Sequence, residues 1–245
     1  MTYCVAMRLD AGLVFLSDSR TNAGVDHINS FRKMHFFQKE GDRVLVLMTA
    51  GNLSISQSVV NLLREKLEIK KGPNLHKVKN MFEAARHVGD CLREIHNRDA
   101  AALKDFGIEF NASIVLGGQI KGEEPRVFMI YAAGNFIEAT KETPYFQIGE
   151  SKYGKPIIDR VVSRKTGLDE AAKCALISMD STIRSNLSVG LPLDLLIYER
   201  DALKIGHHHV IDQDNAYFNH IHSQWGQSLR QAFAELPDPD WKHFK

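Results

Sequence analysis

Cysteine is scarce. The chain has three in 245 residues, Cys4, Cys91 and Cys174, an odd number with no C-x-x-C pair, so neither a disulfide framework nor a thiolate metal site is suggested and a reducing compartment fits. Charge of one sign is also missing. Lys plus Arg number 31 against 30 Asp plus Glu, a net charge of +1, which leaves no field to draw in nucleic acid or anionic lipid. No apolar run reaches the roughly 18 residues of a membrane span, and Arg8 and Asp10 interrupt the amino-terminal stretch, unlike a secretory leader. A cytoplasmic protein with neither nucleic-acid nor membrane partners is expected. There is no Pro/Ser-rich linker, composition break or short repeat either, so residues 1–245 are expected to form a single domain. With 44% hydrophobic and 25% charged residues, a folded, water-soluble chain is the default.

What is present is an ordered change of hydrophobic period. Residues 2–9 and 13–18 are short apolar runs joined by Asp10-Ala11-Gly12, and 33–38 and 43–50 are joined by Lys39-Glu40-Gly41-Asp42, which predicts two hairpins. From Asn52 the period becomes helical, with Leu53, Val59, Val60, Leu63 and Leu67 on one stripe and Lys71-Gly72-Pro73 as the stop. A second helix is expected over about 77–98. Strand period returns at 112–120, 126–133, 136–137 and near 145–147, followed by helices at about 151–163 and 168–184, a strand at 193–199 and a helical extension over about 213–236. Blocks of strands alternating with pairs of helices do not build a parallel sheet. They suit an α+β, four-layer αββα sandwich, two antiparallel sheets face to face with helices outside.

The chemistry begins at Thr2. A small residue after the initiator Met tolerates methionine removal, and an amino-terminal Thr carries both a hydroxyl nucleophile and an α-amine to act as its base. That amine titrates near 7.7–8.0, roughly, so an appreciable fraction of it is free base at neutral pH. Thr at position two is common, and alone it signifies little. Asp18 and Lys33 lie at expected strand ends that could both border the first strand, where a Lys stabilises the alkoxide and an Asp orients the Lys; either could equally be a surface charge. Gly51 stands where a buried strand runs into a helix, a turn that aims backbone N–H groups at one point, as an oxyanion hole requires and as many ordinary turns also do.

The spacing of Thr2, the S-D-S-R-x-x-A-G segment at 17–24, Lys33 and Ala50-Gly51 resembles the proteasome β-subunit group of N-terminal nucleophile hydrolases. The segments 17–37, 47–57, 147–160 and 185–199 look specifically like Anbu, the bacterial ancestral-β-subunit lineage, and with the order of elements they extend the resemblance over nearly the whole chain. It implies that Thr2 is the nucleophile once Met1 is gone, that Asp18 and Lys33 complete the core triad and that Gly51 supplies an oxyanion N–H. The family's R-D-x-x-S-G segment stands here as Arg184-Ser185-Asn186-Leu187-Ser188-Val189: Ser188 matches, while Ser185 replaces the usual Asp. Glu150 likewise stands in place of a family Ser. These departures bear on the protonation of the Thr2 amine and so on the rate of peptide hydrolysis.

The implied function is hydrolysis of peptide or amide bonds in a peptide or protein substrate, by a threonine-type peptidase that uses no cofactor and no metal. The resemblance also implies self-association into a ring or an open helical spiral, and leaves room for an ATPase or operon-encoded partner. Two readings stand beside it: a weakly active or inactive scaffold that binds a partner, and an amidase dedicated to one substrate. His207-His208-His209 and His220-x-His222 carry metal-binding chemistry, but adjacent strand residues face opposite ways and no ligand spacing is recognisable. The stripe Ile221, Trp225, Leu229 and Phe233 marks the terminal helix as amphipathic, suited to core packing or to docking a neighbouring subunit.

Overall fold

The computed structural model describes residues 1–22, 28–69 and 72–243. In chain order the strands are β1 (Tyr3–Leu9), β2 (Gly12–Asp18), β3 (Arg20–Asn22), β4 (Ile28–Ser30), β5 (Met34–Lys39) and β6 (Arg43–Gly51). Helices α1 (Leu53–Glu68) and α2 (Met81–Asp105) follow, then β7 (Ala112–Ile120), β8 (Arg126–Ile130), β9 (Phe136–Glu138) and β10 (Tyr145–Gly149). The chain continues through α3 (Lys155–Val161), α4 (Leu168–Ser185), β11 (Leu193–Glu199), β12 (His207–Ile211) and α5 (Ala216–Ala234).

Two five-stranded antiparallel sheets form, one ordered β10-β1-β2-β11-β12 and the other β5-β6-β7-β8-β9, and β3 with β4 makes a separate ribbon. Alternation along each strand decides the layers. In β6, Leu45 and Leu47 pack toward α1 and α2, whereas Val44, Val46 and Met48 enter the layer between the sheets. In β1, Val5 and Met7 meet α3, α4 and α5, and Cys4 and Ala6 face the other sheet. Strands apolar on both faces are thus buried on both, which gives the expected αββα sandwich.

Helix boundaries follow the caps. Asn52 caps α1, its side chain accepting the Ser54 N–H, and Ile55, Val59, Val60 and Leu63 form the buried face. This helix ends at Glu68, before the expected Lys71-Gly72-Pro73 stop, of which Lys71 lies outside the described residues. The second helix starts later than expected because Asn80 is its cap, accepting the Glu83 N–H at 2.8 Å. It also runs further, to Asp105, through the helix-favouring Ala100, Ala101 and Leu103. Three short strands were not expected: β3, β4 and β12 are polar and carry no apolar alternation. Only the start of α5 packs on the body, through Phe218 and Ile221, while Leu229 and Phe233 are exposed. Among the described residues no helix is long and apolar enough to cross a membrane.

Candidate active site

Strand ends of both sheets converge on Thr2. The residue precedes β1, is 8% exposed, and is fixed from its carbonyl side by the Glu150 N–H at 2.6 Å. The next backbone N–H, that of Tyr3, donates to Asp18 Oδ1 at 2.9 Å. Asp18 closes β2 opposite Leu193 of β11, so one carboxylate is tied to the backbone beside Thr2 by the sheet itself.

Lys33 reaches the same carboxylate. Its ammonium donates to Asp18 Oδ1 and to the Arg20 carbonyl, each at 2.7 Å, with the side chain 7% exposed and that of Asp18 fully covered. Two backbone bonds place Lys33: the Phe31 N–H donates to the Ser19 carbonyl at 2.8 Å, and the Thr49 N–H donates to the Lys33 carbonyl at 3.0 Å. Burial pushes the Asp18 carboxyl up from its ordinary value, against the opposing pull of Lys33 and of the Tyr3 N–H. An ammonium in direct contact keeps the carboxylate ionised, and the buried pair is paired and hydrogen-bonded as buried charges must be.

These groups border a cavity of about 710 Å³. Thr2, Lys33 and the end of β6, Thr49 to Gly51, line it, together with Asn111 and Ser113 from the neighbouring strand β7 and the residue before it. Gly51 is required there. Its φ is +106°, and a Cβ would lie 2.9 Å from the Asn111 carbonyl carbon. Met1 also lines the cavity. Its α-amine is lowered from the ordinary value by burial and by the Lys33 charge, with Asp18 opposing, so an amine in this corner is biased toward free base.

Four of the six expected residues, Thr2, Asp18, Lys33 and Gly51, therefore come together. Ser188 sits half-buried in the turn after α4, its N–H donating to Asn186 Oδ1 at 3.0 Å. Ser185 ends α4 with its side chain exposed. Ala23 and Gly24 of the expected motif lie outside the described residues. The residue the sequence reading passed over is Asn186, whose amide donates to Glu150 Oε2 at 3.1 Å. Glu150 Oε1 meanwhile accepts the N–H groups of Ser151 and Lys152, each at 2.9 Å. Those bonds, the one from Lys152 foremost, hold the Glu150 carboxyl below its ordinary value. The position of Asn186 directly after a helix was the only signal for it.

Elsewhere, the three cysteines are free and buried, and burial pushes the Cys174 thiol up to about 11, which makes them unreactive. His208 is bonded to Asp194 at 2.9 Å and His222 to Asp180 at 2.6 Å. Among the described residues, no group of three His, Cys, Asp or Glu is placed to hold a metal ion.

With this geometry in view, the chain was compared with known proteins. The family model described as proteasome subunit matches residues 2–191. Among solved structures, Anbu (ancestral beta-subunit) from Yersinia bercovieri is 56% identical, with 97% of this chain and 99% of that one covered and a TM-score of 0.92. The helical assembly of the Anbu complex from Pseudomonas aeruginosa is 49% identical, covering 98% and 99%, with a TM-score of 0.94. Anbu from Hyphomicrobium sp. strain MC1 is also 49% identical, covering 97% and 99%, with a TM-score of 0.90. No curated protein matches the chain.

Proposed function

Because the chain belongs to the proteasome subunit family, and within it to Anbu, we propose that it is a threonine-type peptidase that uses Thr2, freed by removal of Met1, as nucleophile. One observation carries this reading: Lys33, paired with the buried Asp18 at 2.7 Å, borders the same cavity as Thr2, and the Tyr3 N–H ties Asp18 to the backbone beside Thr2.

In the mechanism, the Thr2 hydroxyl attacks the peptide carbonyl and its proton passes to the Thr2 α-amine, the Lys33 charge favouring the alkoxide. The negative charge on the carbonyl oxygen is met by the Gly51 N–H. Collapse of the tetrahedral adduct breaks the C–N bond as the α-amine returns the proton to the leaving amine, leaving an ester on Thr2. Water activated by the same amine hydrolyses that ester. No step draws on a cofactor or metal. Ser188 and Ser185 are assigned to the turn that borders the amine, with Ser185 the weaker member because it is exposed.

The whole chain acts as one subunit domain with α5 as its carboxy-terminal extension, working in the cytoplasm on peptide or protein substrates. Self-association is supported by the helical assembly of the Pseudomonas aeruginosa relative, and by the exposed Leu229, Phe233 and Leu236 at the end of the chain. A second reading, a weakly active assembly that holds a partner, draws on the exposed Ser185 and on Glu150 in place of Ser. The experiment is the intact mass of the protein after incubation with a peptide epoxyketone, which bonds both the hydroxyl and the amine of a terminal Thr. A single adduct on a chain lacking Met1, absent in Thr2→Ala, is the expected result. Undiminished labelling of Thr2→Ala refutes the assignment.

A further inference from the structure

We infer that the cavity beside Thr2 is built to take a substrate side chain bearing an uncharged carboxamide, such as that of glutamine, immediately before the bond that is cut. The inference rests on Thr2 being the nucleophile. With a carbonyl held between the Thr2 hydroxyl and the Gly51 N–H, the side chain preceding that carbonyl occupies the rest of the cavity, whose walls can be taken one group at a time.

Two of its hydroxyls lack a protein partner. Thr21 Oγ1 is a fully covered atom with no hydrogen bond among the described residues. Thr49 is 5% exposed; its backbone is used by Lys33 and Cys4, but its hydroxyl has no partner among the described residues. A buried polar group without a partner costs about 1–3 kcal/mol, which falls on Thr21 Oγ1; both residues line the cavity, and because the Thr21 oxygen is covered with Met1 in place, a substrate meets the Thr49 hydroxyl first. Ser113, paired with Ala50 across the sheet, adds a third hydroxyl, and Asn111 an amide. The Ser56 hydroxyl donates to the Asn52 carbonyl at 3.0 Å and keeps its acceptor capacity. Among the described residues, only the side chains of Leu53 and Ala50 stand against these as apolar wall once Met1 is gone.

Charge narrows the choice. Among the described residues no carboxylate lines the cavity, so none of them would hold a basic side chain. The one cation among the described lining residues, Lys33, is already neutralised by Asp18 at 2.7 Å, so an acidic side chain would be desolvated without a countercharge from them. An aliphatic side chain would leave the Thr21 and Thr49 hydroxyls unpaired, the situation in which sites built from hydrogen-bonding groups discriminate most strongly. Hydroxyls both donate and accept. A carboxamide, with two donors and an accepting oxygen, matches them in both senses.

The test compares N-capped tripeptide vinyl sulfones that differ only in a final Gln, Leu, Lys or Glu, following the labelling rate of the mature protein by intact mass. The Gln probe is expected to react at least about tenfold faster than the Leu probe, with Thr49→Val and Thr21→Val each lowering that ratio by roughly fivefold. A second arm measures binding of the matching tripeptide amides to Thr2→Ala by calorimetry, where the same preference for Gln is expected. Labelling that favours Leu or shows no preference, or a ratio unmoved in both valine variants, overturns the carboxamide assignment and leaves Thr2 as nucleophile. A Gln preference in binding with no labelling by any probe removes the nucleophile and leaves the pocket. Neither labelling nor binding preference overturns both.

Discussion

Gly149 is where a single methyl group should separate folding from chemistry. It ends β10 with φ +84° and pairs with Tyr3, one residue from Thr2. A Cβ built there would overlap the Thr2 carbonyl oxygen and would lie 2.7 Å from its carbonyl carbon and 3.1 Å from its Cβ. Relieving the overlap requires a shift of about 1 Å, and a misplacement of that size at a reacting group costs about a hundredfold in rate. The left-handed conformation adds roughly 1–2 kcal/mol for any residue with a Cβ, which the two packed sheets can absorb. Gly149→Ala is therefore expected to fold, with a melting temperature a few degrees lower, and to react with an epoxyketone about a hundredfold more slowly. Intact-mass labelling kinetics beside a thermal melt measure both quantities. A folded Gly149→Ala that labels at the parent rate would refute the claim that contact between β10 and Thr2 sets the nucleophile's position.

Lys33→Met strands a buried carboxylate and is expected to cost about 3 kcal/mol or more; Asp18→Asn combined with it should recover most of that loss in denaturant titration, while epoxyketone labelling stays absent in both. His35 is held down to about 4, by burial first and by Arg64 second. Its neutral form therefore stabilises the fold above pH 6.5, and that contribution is lost as pH falls from 6.5 to 4, on the order of 3 kcal/mol in all; His35→Leu should flatten melting temperature against pH in that window. Glu150, whose carboxyl lies below its ordinary value of 4.5, stabilises the fold above that pH and loses the contribution as pH falls through its lower native value. The difference in melting temperature between parent and Glu150→Gln should accordingly shrink on acidification, and a constant difference would rule out the ionised carboxylate as its source.

Most of the fold was legible because its elements are driven by burial. The runs that became β1, β2, β6 and β7 are apolar on both faces and lie between two other layers, so no tertiary contact had to be known to find them. The pieces that escaped notice have no such signal. Arg20-Thr21-Asn22 is a strand only because Ile28–Ser30 pairs with it, and His207–Ile211 only because β11 offers an edge. Helix ends shifted for the same reason in reverse: Asn80 is a better cap than the periodic pattern before it, and periodicity does not register caps.

The site divides along the same line. Thr2, Asp18, Lys33 and Gly51 sit at strand ends, and strand ends follow from element order, so their spacing along the chain carried the resemblance. Ser185 and Glu150 were read as two separate losses because a sequence offers only a position to compare. In three dimensions the two positions meet, because Asn186, the residue after Ser185, bonds Glu150. Where a helix end would have presented an acidic side chain inward, Ser185 is exposed and Asn186 reaches in, and the carboxylate it meets is that of Glu150. The Asn186–Glu150 bond joins residues 150–152 to 186–188, and each segment is braced by its own bonds from backbone N–H groups to those same two side chains. Because the Glu150 N–H also grips the Thr2 carbonyl, this braced turn anchors Thr2 through its carbonyl side. Tuning of its α-amine is thereby left chiefly to Lys33 and Asp18, which makes those two residues, and not the serines of the carboxy-terminal turn, the ones whose alteration should move the pH dependence of labelling.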